Sequence, residues 1–152
     1  MKAKTRIPKG ALSLAFALAF FGGQQQYALA QQTEPLDILM ITGGGPWHDY
    51  ATQKDQIEKG LQERLSNIKI TTDYEGRDTN TMESTDFFFS RHLKDDWAAE
   101  FDVVIYNHCN LQVKDADYVK GIIAQHVKHQ LPAVMLHCPI PLYQYAEGDA
   151  AA

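Results

Sequence analysis

Three histidines stand just beyond three short, strongly apolar runs, and that placement is the first sign of chemistry in this sequence. His48-Asp49 follows LDILMIT (Leu36–Thr42) and its glycine turn. Asn107-His108-Cys109 follows FDVVIY (Phe101–Tyr106), and His137-Cys138 follows AVML (Ala133–Leu136). Imidazoles at His48, His108 and His137, helped by Asp49, could hold a divalent metal such as zinc and leave a position for water or a substrate oxygen. A histidine could equally act as general base or acid on a polyol, with Tyr50 or Asn107 nearby to orient it. A third reading needs no ligand: each histidine caps a strand end by bonding to loop backbone.

Gly43, Gly44 and Gly45 could admit a ligand close to the main chain, and the helix beginning near Ala51 offers N–H groups to an anion. The spacing is not GxGxxG, and Asp73 is the nearest acid to the place a dinucleotide fold would use. The run followed by Pro46 is better evidence for a turn than for phosphate. Cys138, directly after a strand, invites comparison with the nucleophile of an amidotransferase. The small residues of a strained elbow are missing around it, which favours a buried or partly buried thiol.

For these groups to meet, the apolar runs must be neighbouring strands. Continuous apolar runs of this length read as strands buried on both faces, as in a parallel sheet. Between them, Ile57, Leu61 and Leu65 recur every four residues over Ala51–Leu65, and Val119, Ile122, Ile123 and Val127 mark a helix over Val113–His129. Ile68–Thr72 alternates like an outer strand. Leu93, Trp97 and Phe101 suggest a third helix packed on the core, and Phe87-Phe88-Phe89 suggests a short strand or a core anchor. Strand–helix alternation implies right-handed crossovers. The expected fold is α/β, a flavodoxin-like three-layer parallel sheet with strands near 36–42, 68–73, 102–107 and 133–137, in the order 2-1-3-4. His92, His126 and His129 fall on or beside helices and read as surface residues.

Residues 1–30 read as a signal peptide, and 31–152 as the domain. Lys2, Lys4, Arg6 and Lys9 precede the apolar stretch Ala11–Phe21, and Ala28-Leu29-Ala30 supplies a cleavage pattern. The expected location is the periplasm or the exterior, with no membrane attachment after cleavage. The precursor carries a net charge of −5. The mature chain would keep ten basic residues against nineteen acidic ones, a balance that argues against a nucleic-acid partner.

The segments ILMITGGGPWHDYATQKDQIEKGL (Ile38–Leu61), FDVVIYNHCNL (Phe101–Leu111) and LPAVMLHC (Leu131–Cys138) resemble the ThuA-like family. That family is named for a trehalose-utilisation protein, and its fold is related to the class I glutamine amidotransferases. The likeness spans roughly residues 36–143. It implies carbohydrate metabolism, of disaccharides or oxidised sugars, by a hydrolase or lyase. The alternatives are a sugar-binding domain without turnover and an inactive fragment. His48 and His137 match motif positions, so the catalytic candidates are His48, Asp49 and His137. The ligand-binding candidates are Gly43, Gly44, Gly45, Tyr50, Asn107, His108 and Tyr143, with a small-molecule carbohydrate as the expected partner.

The family pattern HCAMHSYR is met by His137, Cys138 and Tyr143, but Pro141 and Gln144 replace its second histidine and its arginine. This departure carries the expectation that the domain is truncated at its C-terminus, with an exposed sheet edge open to self-association. For the leader, the expected mature N-terminus is Gln31. N-terminal sequencing of exported protein tests it, and Met1 on the exported chain would refute it.

Overall fold

The structure is a computed structural model that describes residues 34–46, 48–78, 81, 84–109 and 113–136. His137, Cys138 and Tyr143 lie outside them. In chain order the elements are β1 (Leu36–Gly43), α1 (Tyr50–Arg64), β2 (Ile68–Glu75), β3 (Val103–His108), α2 (Ala116–His129) and β4 (Ala133–Met135). Two short 3₁₀ turns, Ser90–Leu93 and Trp97–Glu100, precede β3. The strands form one parallel sheet in the order β2-β1-β3-β4, the order expected of a flavodoxin-like fold. No helix among the described residues is long and apolar enough to cross a membrane.

The central strand β1 pairs along its whole length with β2 and from Ile38 onward with β3. Its alternate side chains therefore feed two separate cores. Ile38 and Met40 join Ile105 on one face, covered by Ile57 and Leu61 of α1. Leu39 and Ile41 join Val104 and Tyr106 on the other, beneath Val119 and Ile122 of α2 together with Phe89, Trp97 and Phe101. Both helices begin on an aspartate. The carboxylate of Asp49 accepts the Thr52 N–H at 3.1 Å, and that of Asp115 accepts the Tyr118 N–H at 2.8 Å, each filling an otherwise orphaned donor of the first turn.

The stripe Leu93–Trp97–Phe101 is not one helix. Asp96 adopts a left-handed conformation (φ 52°) that interrupts it, leaving two 3₁₀ turns. Trp97 and Phe101 enter the core, but Leu93 is 64% exposed. Phe87–Phe89 is an anchor without strand structure; Phe89 is fully buried. Polar contacts fasten the following turn to β2. Arg91 forms a two-pronged ion pair with Asp73 (2.6 and 3.0 Å), and the Ser90 N–H and hydroxyl both donate to Glu75. β4 is the outer strand on its side, with Val134 and Met135 exposed, while the Leu136 N–H bonds to the Tyr106 carbonyl at 2.8 Å.

The broken stripe predicts unequal costs along it. Phe89→Ala should lose about 3–5 kcal/mol, the usual range for emptying a buried aromatic site. Leu93→Ala should stay within about 0.5 kcal/mol, as for a surface change. Urea unfolding at neutral pH measures both, and a large loss for Leu93→Ala would restore the continuous helix.

Candidate functional site

The strand ends are built around glycines for a reason of chain geometry. Gly43 has φ 115°, and a Cβ there would lie 2.0 Å from the Glu75 carbonyl oxygen. Gly44 has φ 83°, and its Cβ would lie 2.3 Å from the Cys109 carbonyl oxygen. Only glycine accepts such φ values at no steric cost and also leaves that space empty. Hydrogen bonds close both approaches: Gly44 N–H to Glu75 O at 2.9 Å, and Cys109 N–H to Gly43 O at 3.1 Å. Gly43 and Gly44 thus serve the crossing of β1 with its two neighbours. Gly45 is buried beside them with φ 144°.

Beyond this crossing lies a cavity of about 500 Å³. Its wall is formed by His48, Tyr50, Gln53, Gln56, Ile57, Asn107, His108 and Leu136. The first turns of α1 bring Tyr50, Gln53, Gln56 and Ile57 to it, because positions three and four apart share a helix face. His48 stands exposed, its ring edge-on to Tyr50 with centroids 5.5 Å apart. Asn107, 6% exposed, donates through Nδ2 to the Thr42 hydroxyl and to Gln53 Oε1, each at 3.2 Å. Among the described residues the wall contains no Asp, Glu, Lys or Arg.

Sequence reasoning placed His48, Tyr50, Asn107 and His108 together, and the structure brings all four to this wall. It missed Gln53 and Gln56 as wall residues, although their spacing from Tyr50 and Ile57 at the start of an amphipathic helix is a usable signal. Asp49 is absent from the wall. Its exposed carboxylate caps α1, and hydrogen bonding from the Thr52 side chain and N–H holds its pKa below the usual value. In this structure that carboxylate serves as the helix cap.

His108 occupies a different environment from His48. Strand alternation sets it on the α2 face of β3, against Phe89 (centroids 4.8 Å) and Tyr106 (5.5 Å). It is 1% exposed, and neither ring nitrogen has a hydrogen-bond partner among the described residues. Burial drops its pKa to about 3, so the ring is neutral. No group of three His, Cys, Asp or Glu side chains among the described residues could hold a metal ion. With the His108 ring sealed among aromatic neighbours and no carboxylate among the described residues of the wall, the described residues do not make a zinc site.

The expectation that His92, His126 and His129 are surface residues needs correction. His92 Nδ1 lies 2.8 Å from the Tyr118 hydroxyl, and its sealed Nε2 has no partner among the described residues. Burial, then the neighbouring His108, His126 and Arg91, pushes its pKa well below the usual value. His126 Nδ1 donates to the Leu131 carbonyl at 2.7 Å, and its Nε2 lies 2.7 Å from the Tyr106 hydroxyl. His129 contacts Asp96 with a largely covered side chain. The His92 and His126 rings pack against Trp97 and Tyr106 on the α2 side.

The buried rings of His108 and His92, both with lowered pKa, make stability depend on pH. The unfolded chain protonates His108 near 6.5, the folded one only near 3. Between those values the unfolded state binds more protons, so stability rises with pH. The contribution is complete above pH 6.5 and drains as pH falls, by about 1.4 kcal/mol per unit from this group. His92 adds slope of the same sign. Urea unfolding between pH 7 and 5 should show a steeper decline for the wild type than for His108→Phe, and equal slopes would mean that folded His108 titrates normally. Compared with known proteins, the chain matches no family model, no curated protein and no solved structure.

Proposed function

We propose that this chain is an exported, ThuA-like carbohydrate-binding domain whose strand-end cavity takes a neutral, polyhydroxylated ligand of mono- or disaccharide size. The observation that carries the reading is the chemistry of the wall. Amide groups from Gln53, Gln56 and Asn107 can donate to and accept from hydroxyls, and Tyr50 and Ile57 offer apolar surface to sugar C–H groups. A few placed polar groups on a largely apolar wall is the usual composition of a small-molecule site, and about 500 Å³ falls within the usual size range.

Charge supports the same choice. Among the described residues the wall has no Lys or Arg to neutralise a phosphate or carboxylate, and the chain as a whole is negative. An anionic sugar would lose its hydration with no cation in return. Export and the family resemblance fit a protein that meets sugars outside the cytoplasm. If turnover accompanies binding, the proton-transfer role falls to His48, the imidazole of the wall that is open to solvent. Hydrolase or lyase chemistry would be centred there.

Calorimetric titration with neutral disaccharides and with their phosphorylated or carboxylated counterparts tests the reading. The neutral sugar should bind at least about tenfold more tightly than its anionic partner. Gln56→Ala should weaken it about three- to tenfold, the worth of roughly one hydrogen bond. Tighter binding of the anionic form would overturn the proposal.

A further inference from the structure

We propose that Gln53 and Asn107 act as one coupled amide pair that sets the specificity of this cavity by reading two adjacent hydroxyl groups, a vicinal diol. The inference rests on the reading of the cavity as a polyol site and deepens it. An asparagine amide has two N–H donors and a carbonyl acceptor. Both donors of Asn107 are spent, one on Thr42 Oγ1 and one on Gln53 Oε1, each at 3.2 Å. What remains is the Asn107 carbonyl oxygen and the Gln53 amino group. Neither has another partner among the described residues, and neither is sealed from solvent.

The cavity is thereby offered one acceptor and one donor, from two residues locked together by a hydrogen bond. This does not depend on which way round the two amides are assigned. Exchanging oxygen and nitrogen in both still leaves one free carbonyl and one free amino group, on opposite members of the pair. A hydroxyl both donates and accepts, so two neighbouring hydroxyls can satisfy both ends at once: one donates to the carbonyl and the other accepts from the amino group. An isolated hydroxyl satisfies one end and leaves the other without a partner as water is displaced, which is the source of strong discrimination in polar sites.

The fold supplies the rigidity that such reading needs. Asn107 is on β3, 6% exposed, and is held from behind by Thr42, which is fully buried on β1. Gln53 is in the first turns of α1, whose N-terminus is fixed by the Asp49 cap. The pair therefore bridges a central strand and a capped helix, and neither side chain can turn without breaking the bond to the other. Gln56, on the same wall without such a lock, would contribute affinity more than selectivity.

The test uses the wild-type chain and Gln53→Glu, which keeps an oxygen to accept from Asn107 but removes the free amino group. Calorimetric titrations would use the methyl glycosides of glucose, mannose and galactose and their singly deoxygenated derivatives. For a glycoside that binds, removing one hydroxyl of the recognised pair should cost the wild type about tenfold. That penalty should shrink to about twofold or less in Gln53→Glu for the hydroxyl that accepts from Gln53. Gln56→Glu, which adds the same charge to the same helix, should weaken every ligand but preserve the deoxy penalty. If glycosides bind and every deoxy derivative binds as tightly as its parent, the diol proposal falls while the polyol site stands. The proposal is equally overturned by a deoxy penalty that is unchanged in Gln53→Glu. If no glycoside binds, the polyol site itself falls and takes the diol reading with it.

Discussion

The approach of three backbones at the end of β1 governs much of what lies around it. There Gly43 passes under the Glu75 carbonyl and Gly44 under the Cys109 carbonyl, at distances no Cβ could survive. Hydrogen bonds on both sides hold the crossing shut. Because β1 is paired with β2 and β3 right up to Gly43, the positions just beyond it are fixed relative to both neighbours. The chain then turns to Asp49, whose carboxylate starts α1 and sets the direction in which Tyr50, Gln53 and Ile57 project. A side chain in place of either glycine would disturb the sheet, the helix entry and the cavity together.

The two faces of the sheet then take on different work. The α1 face carries aliphatic packing deep in the sheet and turns polar at the strand ends, where Thr42, Asn107 and Gln53 form a bonded chain. The α2 face is filled by aromatic rings and imidazoles, some bonded through the Tyr106 and Tyr118 hydroxyls. Burying polar rings is tolerable when they stay uncharged and costly when they do not. Asn107 and His108 are consecutive residues, yet alternation along β3 gives one to the amide cluster and the other to the aromatic core. That single step in register separates a group able to meet a ligand by hydrogen bonding from one committed mainly to packing.

Much of the architecture was legible beforehand because central parallel strands announce themselves as unbroken apolar runs. Leu36–Thr42, Phe101–Tyr106 and Ala133–Leu136 needed no tertiary information to be recognised; their alternation with helices implied a parallel sheet, and the strand order came from the flavodoxin-like pattern. The stripe Leu93–Trp97–Phe101 misled because helical spacing is blind to one residue, Asp96, in a left-handed conformation. The buried histidines were illegible for another reason. His92 and His126 bond to Tyr118 and Tyr106, partners 26 and 20 residues away, and nothing local marks those contacts. Asp49 stands beside His48, and its place before an amphipathic helix is the local signal of the cap it forms.

At the cavity, residue types were readable but their grouping was not. Polar side chains after strand ends were expected to converge, and His48, Tyr50, Asn107 and His108 do share a wall. The amides of α1 emerged only once the helix was set against β3. The most direct measurement is a titration of isotopically labelled protein with a neutral disaccharide, followed by NMR shift changes at every assigned amide. The account predicts changes concentrated at residues 48–57 and at Asn107 and His108, including the side-chain amides of Gln53 and Asn107. Changes centred instead on α2 and β4, or none at saturating sugar, would contradict it.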